Sequence, residues 1–425
     1  MHMRIHFECY GCTQNVGETL LYRKALESLE GIGIVDDPER ADLCVVGTCV
    51  VIETTENRML KRIRTLVDMG KKVVVTGCLP KVSGDQLPQE VVQYGFTDVA
   101  ELVALVEEMK SEFPLDATME EGSEPANPKT AIVPISQGCL GACAYCITRL
   151  ARGKLMSYDP KEILASAEAF IQDGKKEILL TAQDTGAYGF DRKDVDLPGL
   201  VRMITSTDPP DGIDYRLRIG MMNPDSAVRI LPELVKTFKN PRVFRFLHIP
   251  VQSGDGVILK RMKRRYSVEL FKDILKGIRE EVPDITISTD IIVGFPGERE
   301  EQFQRSYDMI KEIEPDILNI TRFSPRPGTE AKDMEGQVHG RIHKERSRLL
   351  TALRRDIGLR KNEDYIGRRV SALVTEYGSG DTLVTRLDNY RVVLIPKEPG
   401  VEIGTWVDVG VAGATDIYVK GQILE

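Results

Sequence analysis

The chain has 425 residues, 42% hydrophobic and 29% charged, with eight cysteines and a net charge of -8. This length allows two to four domains with cores of their own, and the thinly spread cysteines exclude a small disulfide-stapled secreted fold. With no basic-then-apolar leader and no apolar run longer than stretches such as Ile291-Ile292-Val293, a cytoplasmic protein with reduced thiols and no membrane association is expected, and its acidic sum argues against indiscriminate nucleic-acid binding while saying little about any one face.

From residue 3 to 110, short apolar runs alternate with amphipathic stretches, the pattern of a doubly wound α/β layer. Three runs end alike: 5–10 leads into Gly11-Cys12, 43–46 into Gly47-Thr48-Cys49, and 73–76 into Gly77-Cys78. Cys12, Cys49 and Cys78 thus stand just past expected strands and before expected helices. That is the carboxyl edge of the sheet, where ligands gather, so three cysteines distant in sequence should meet in space. Three thiolates leave one iron of a cluster open. Ordinary buried thiols are the competing reading, and the expected one for Cys9 and Cys44, which lie inside strands.

Residues 111–129 are rich in Pro, Ser and acid and read as a linker. Between 130 and 340 six runs recur at strand-helix spacing, at 132–136, 178–182, 216–220, 244–249, 285–293 and 317–323. They predict an incomplete parallel barrel of the TIM type. After the first run comes Gly138-Cys139-Leu140-Gly141-Ala142-Cys143-Ala144-Tyr145-Cys146, a C-x3-C-x2-C triplet with no other cysteine within fifty residues. Structural zinc takes four protein ligands and a fully ligated 4Fe-4S cluster takes four cysteines. The incomplete set favours a cluster with one open iron over a zinc knuckle or scattered thiols.

Residues 341–361 carry eight Arg or Lys against Glu345 and Asp356, a net of +6. Arg341, Lys344, Arg348 and Arg355 share one face at helical spacing, and Leu349, Leu353 and Ile357 mark another. This basic connecting helix, 341–362, is either a solvated helix packed on the barrel or a stripe that tracks phosphates. Residues 363–425 hold five strand signals, at 370–377, 382–386, 391–395, 406–411 and 417–424, which predict a small β-barrel, a common nucleic-acid-binding build. Its own charge is -4, so RNA contacts there rest on single side chains such as Arg386, Asn389, Tyr390 and Arg391.

Together these pieces resemble the methylthiotransferases of the radical S-adenosylmethionine (SAM) superfamily over nearly the whole chain. The N-terminal part carries Tyr10-Gly11-Cys12-Thr13-Gln14-Asn15, Gly47-Thr48-Cys49 and Gly77-Cys78-Leu79-Pro80. The barrel carries Arg218-Ile219-Gly220-Met221-Met222-Asn223-Pro224, His248-Ile249-Pro250-Val251-Gln252-Ser253-Gly254 and Asp290-Ile291-Ile292-Val293-Gly294-Phe295-Pro296-Gly297-Glu298. The end resembles a TRAM domain. Gly47 departs from the pattern, which commonly has Asn there. Ala151-Arg152-Gly153-Lys154-Leu155-Met156-Ser157-Tyr158 and Arg386-Leu387-Asp388-Asn389-Tyr390 resemble the archaeal and eukaryotic branch that methylthiolates threonylcarbamoyladenosine at tRNA position 37.

The resemblance implies an N-terminal α/β domain over 1–110, a radical SAM barrel over 130–340 and an RNA-binding TRAM barrel over 363–425. It implies a tRNA-modifying enzyme with two 4Fe-4S clusters, one on Cys139, Cys143 and Cys146 and one on Cys12, Cys49 and Cys78, and two SAM per turnover. SAM contacts are expected at Tyr145, Gln183, Asp184, Gln252 and Gly294, each equally compatible with a turn or packing role. RNA contacts are expected at Arg341, Lys344 and Arg348 and in the TRAM segment. No side-chain catalyst beyond the cluster ligands is expected. An electron donor, a reductase, ferredoxin or flavodoxin, and a sulfur source are required as partners. The rivals are a methylthiotransferase acting on isopentenyladenosine tRNA or a ribosomal protein side chain, and a non-enzymatic iron-sulfur RNA-binding sensor.

Overall fold

The computed structural model describes residues 3–51, 53–95, 99–110 and 128–424. All but the last two residues of the expected linker lie outside them. The N-terminal unit runs β1 (Met3–Tyr10), α1 (Thr13–Glu27), β2 (Ile32–Ile34), β3 (Leu43–Thr48), α2 (Glu53–Asp68), β4 (Lys72–Gly77), α3 (Leu79–Ser83), β5 (Val92–Gln93) and α4 (Val99–Lys110). Its strands are all parallel, in the order β2-β1-β3-β4-β5. β3 is buried along its whole length and β4 nearly so, as helix-covered parallel strands must be. The order reverses between β1 and β3, and the crevice at that switch point is where such sheets take ligands. Cys12 precedes α1, Cys49 follows β3 and Cys78 precedes α3. Cys44 is a core residue, and Cys9 is hydrogen-bonded to Thr19.

The central unit continues with β6 (Thr130–Pro134), β7 (Ser136–Gln137), α5 (Ile147–Arg152), β8 (Met156–Ser157), α6 (Pro160–Gln172), β9 (Glu177–Thr181), α7 (Leu197–Thr205), β10 (Arg216–Ile219), α8 (Pro224–Ala227) and α9 (Leu231–Phe238). β11 (Phe246–His248), α10 (Gly256–Arg261), α11 (Val268–Glu281), β12 (Thr286–Val293), α12 (Glu300–Ile313) and β13 (Ile317–Arg322) complete it. Six of these strands, β6, β9 and β10 with β11, β12 and β13, form two parallel sets of three, joined by the pairing of Leu217 with Val243. Side-chain parity sorts them: Ile178, Leu180, Leu217, Ile219, Leu247 and Ile287 pack in the main hydrophobic core, which leaves Leu179, Arg218, His248 and Asp290 on the opposite face. The fourth strand starts two residues later than expected because the Phe246 N–H closes a tight turn on Phe244 O, at 2.8 Å.

α13 (Gly340–Glu363) packs along β13. It buries Arg346, Leu350, Leu353 and Ile357. Leu349, expected on that face, is 47% exposed, since the buried stripe runs through its neighbour Leu350. Beyond it β14 (Arg369–Tyr377), β15 (Thr382–Arg386), β16 (Val392–Pro396), β17 (Trp406–Ala414) and β18 (Val419–Ile423) close into a barrel of order β14-β15-β16-β18-β17. It docks on the amino ends of the parallel strands: Asp388 O accepts from Arg245 N–H, Tyr390 meets Glu177, and Arg391 meets Asp316. Among the described residues no helix is long and apolar enough to cross a membrane.

Candidate functional site

The carboxyl edge of the N-terminal sheet and the carboxyl ends of the barrel strands open into one cavity of about 480 Å³. All six motif cysteines line it, Cys12, Cys49 and Cys78 from one domain and Cys139, Cys143 and Cys146 from the other.

The second triplet is set by its own loop. Gly138 has φ +73°, and a Cβ there would fall 1.9 Å from Lys154 O, so only glycine permits the turn into Cys139. The Gly141 N–H donates to Cys139 Sγ at 3.2 Å, and Arg149 Nη1 holds Gly141 O at 2.8 Å. Cys146 precedes α5, and Arg264 Nη1 donates to Cys143 Sγ at 3.2 Å. Burial pushes the Cys139 thiol up to about 12 and raises Cys146. Thiols in such a place become thiolates when a metal supplies positive charge.

In the first triplet Cys49 and Cys12 are hydrogen-bonded to each other, which brings Cys12 down to about 6 and raises Cys49. Burial raises Cys78 to about 11, with Arg152 opposing. Arg152 ends α5 on the barrel side, and its side chain is 1% exposed. It donates Nη2 to Glu18 Oε2 of α1 at 2.9 Å and to Asn15 Oδ1, so a buried ion pair crosses between the domains beside Cys12 and Cys78. Arg326 with Glu56 makes a second such crossing.

Among the described residues no three His, Cys, Asp or Glu side chains converge as they would on a single ion. An iron-sulfur cluster takes each thiolate on a different iron, so its ligands stand apart. Two all-thiolate sets, each short of a fourth ligand, are the soft donor chemistry that such clusters select, and the residues fit the group.

The sequence-predicted SAM contacts divide. Tyr145, Gln183 and Gln252 line the cavity, and Gln183 Oε1 is buried without a hydrogen-bond partner. Asp184 lies off it, 2% exposed, accepting hydrogen bonds from the Asn223 backbone and side-chain N–H and the Ser226 hydroxyl. Burial raises its carboxyl. Asn223 Oδ1 in turn accepts from Arg264 at 2.9 Å, so Asp184 reaches Cys143 only through two intermediaries. Gly294 also lies off the cavity: its N–H donates to Glu298 at 2.6 Å, and the His343 ring packs where a Cβ would stand.

Arg341, Lys344 and Arg348 are exposed along α13, while Arg346, Arg354, Arg360 and Lys361 are spent on Glu298, Asp416, Glu314 and Asp316. The four RNA contacts expected in the C-terminal barrel are placed differently. Tyr390 is 8% exposed, and its hydroxyl donates to Glu177 at 2.7 Å. Buried Asn389 donates to Asp284 O and the Tyr365 hydroxyl, and Arg391 pairs with Asp316 at 2.8 Å. Arg386 stacks on Tyr390 at 4.6 Å. Asn389, Tyr390 and Arg391 thus stand in the seam between the two barrels, while Arg386 pairs with Glu376 inside the C-terminal barrel at 3.4 Å.

Sequence reasoning passed over Arg152, Arg218, Arg264 and the His248–Asp290 pair, bonded at 3.0 Å. Arg218, His248 and Asp290 each open one of the three barrel motifs, and strand parity was the signal that could have turned them inward.

Three family models match the chain: the radical SAM superfamily over residues 133–310, an uncharacterized protein family, UPF0004, over 4–96, and the TRAM domain over 363–424. The chain is 40% identical to a "Probable threonylcarbamoyladenosine tRNA methylthiotransferase" of Pyrococcus horikoshii, covering 99% of this chain and 100% of that one. A protein of the same name from Methanocaldococcus jannaschii is 38% identical, covering 100% and 98%. The threonylcarbamoyladenosine tRNA methylthiotransferase of Xenopus laevis is 35% identical, covering 99% and 77%. Among solved structures, the radical SAM methyltransferase TsrM of Kitasatospora setae superposes with a TM-score of 0.55 at 12% identity, covering 78% of this chain and 75% of that one, a likeness of fold.

Proposed function

The chain belongs to the threonylcarbamoyladenosine tRNA methylthiotransferases of the radical SAM superfamily, and we propose that it replaces the hydrogen on adenine carbon 2 of threonylcarbamoyladenosine, at tRNA position 37, by a methylthio group, with two 4Fe-4S clusters and two SAM per turnover. The observation that carries this reading is the convergence of two cysteine triplets, from two domains, on one cavity. Bound there, the clusters and SAM would supply the one-electron and radical chemistry that no side chain of this protein possesses.

The chain's own work is positional. Cys139, Cys143 and Cys146 would hold one cluster, with Tyr145, Gln183 and Gln252 lining the same cavity to seat SAM. Cys12, Cys49 and Cys78 would hold the other, and the Arg152–Glu18 pair fixes the spacing between the two sets. Arg264 orients Cys143 and is itself set by Asn223. Exposed Arg341, Lys344 and Arg348 would neutralise tRNA phosphates, and the adenine would leave its stack to enter the cavity.

Anaerobically reconstituted enzyme, given threonylcarbamoyladenosine tRNA, SAM and dithionite, should yield the methylthio nucleoside by mass spectrometry, and neither isopentenyladenosine tRNA nor a ribosomal protein should gain the group. Replacing Cys139, Cys143 and Cys146 by Ala should abolish 5'-deoxyadenosine formation. Replacing Cys12, Cys49 and Cys78 should spare 5'-deoxyadenosine and abolish the methylthio product. A folded N-terminal triple variant that still methylthiolates tRNA would overturn the assignment of the first triplet.

A further inference from the structure

Arg218 differs from the other arginines of the cavity. Arg152 is paired with Glu18, Arg149 holds Gly141 O, and Arg264 holds Cys143, Asn223 and Pro250 O. Arg218 lines the same cavity, yet among the described residues it has neither hydrogen-bond nor ion-pair partner, and its Nε is buried. Two aromatic rings hold it instead, Phe246 with its centroid 4.9 Å from the guanidinium carbon and Tyr390 at 4.8 Å. The nearby carboxylates are committed elsewhere: Glu177 accepts from Tyr390 and from Thr130 at 3.0 Å, and Asp290 accepts from His248 and from Asn319 at 2.7 Å.

A guanidinium fixed by aromatic rings, with its N–H groups left unspent in a cavity, is a preorganised receiver for a planar anion. An interior cation without a counter-charge is otherwise costly. The substituent that distinguishes the proposed substrate carries such an anion: the carbamoyl group consumes the amino nitrogen of threonine and leaves its carboxylate free. Arg218 sits one residue short of the carboxyl end of β10, on the side of the cavity toward the C-terminal barrel, while Arg264 is the guanidinium beside the Cys139 triplet. We propose that Arg218 binds the threonyl carboxylate and thereby selects the substrate, an inference that rests on the function proposed above. The same geometry places the C-terminal barrel behind this subsite and not in the pocket wall: its Tyr390 backs Arg218 while anchored on Glu177.

The test is a binding comparison with holoenzyme in SAM without reductant, so that no turnover occurs. Two anticodon stem-loop RNAs are used, one with threonylcarbamoyladenosine and one with the threonine carboxylate converted to its carboxamide. Wild type should bind the carboxylate RNA roughly 10- to 100-fold more tightly, the range expected of hydrogen bonds to a charged group. Arg218→Gln should weaken the carboxylate RNA alone and bring the ratio near one. Equal wild-type affinities would overturn the proposal with no variant needed. It would equally fall if the ratio survived in Arg218→Gln, or if that variant chiefly needed more SAM, which would assign the guanidinium to the SAM carboxylate. Failure of the underlying function looks different: wild type would then make no methylthio product on threonylcarbamoyladenosine tRNA, whereas product with equal affinities removes only the subsite.

Discussion

Tyr390→Phe removes one oxygen and tests whether the C-terminal barrel is clamped to the parallel barrel by this side chain. The hydroxyl donates to Glu177, a residue 4% exposed, at 2.7 Å. A hydrogen bond to a charged acceptor contributes about 1.5–3 kcal/mol, and Thr130 would remain the partner of Glu177. Tyr390→Ala adds the loss of a ring packed against Phe244 at 4.9 Å and Phe246 at 5.1 Å, about 3–5 kcal/mol more for an aromatic truncation. Tyr390 also sits at φ +64°, a left-handed conformation that costs a non-glycine residue about 1–2 kcal/mol, so the ring's seat already outweighs a local penalty. A melting temperature of a multidomain chain blurs such effects, and the reporter is therefore local: amide exchange of Arg245, whose N–H donates across the seam to Asp388 O at 2.8 Å. By this magnitude exchange there should quicken roughly 10- to 100-fold in Tyr390→Phe, while the salt dependence of tRNA binding keeps its slope. Unchanged exchange together with lost tRNA affinity would refute the seam and return Tyr390 to the RNA face.

Reconstituted protein should hold about eight irons per chain, two clusters of four, and iron assays of Cys9→Ala and Cys44→Ala should match wild type because both thiols lie off the cavity; loss of a whole cluster in either would reassign the ligands. Changing Arg341, Lys344 and Arg348 to Gln should lower the log-log salt slope of tRNA binding by roughly 0.7 to 0.9 per lost phosphate contact, and an unchanged slope would make α13 a packing helix only. Burial would raise the Glu8 carboxyl, but hydrogen bonds from His6, Arg62 and Tyr10 bring it to about 2 from 4.5, so its contribution to stability is present above pH 4.5 and lost as pH falls toward 2. His6, raised by the same contact against the effect of burial, contributes below pH 6.5 and loses that as pH rises through its folded value; the protection of β1 amides from exchange in wild type and Glu8→Gln should therefore differ most between pH 4.5 and 6.5 and converge by pH 2.

The strands and the cysteines were legible because both signals are local. An apolar run followed by Gly-Cys places a thiol at a strand end whatever the rest of the chain does, and Cys12, Cys49 and Cys78 needed only a parallel sheet to meet. The buried guanidinium groups were not legible, because the fate of an arginine depends on partners far along the chain: Arg152 finds Glu18 across 134 residues. In composition it counts as surface charge. The position of the segment Arg386-Leu387-Asp388-Asn389-Tyr390-Arg391 at a seam was not legible for a related reason. Aromatic rings beside guanidinium groups are the signature of base stacking, and the same side chains satisfy one another equally well at a domain seam. Leu349 and Leu350 differ by one position of helical phase, finer than a two-turn apolar pattern resolves.

The two cysteine triplets sit on different folding units, so the distance between them is a property of an interface and not of either domain. An apolar interface alone can slide by fractions of a side chain. This one is pinned by polar bonds with defined directions: Arg152 to Glu18 and Asn15, Arg326 to Glu56, Ser324 to Glu53, and Gln14 to Ser136 O. Buried ion pairs contribute little net stability, and their geometric effect is the larger one here, because Arg152 stands beside Cys12 and Cys78 while its own backbone is the end of the helix that begins after Cys146. One six-residue helix therefore ties one triplet to the other. On the opposite side Tyr390 and Glu177 tie the floor under Arg218 to the C-terminal barrel, and Asn362 and Lys361 of α13 meet Arg391 and Asp316 in the same seam. A phosphate bound on α13 would thus stand at a fixed distance from the cavity floor, which is what a reaction at a single ring carbon requires of a substrate as large as tRNA.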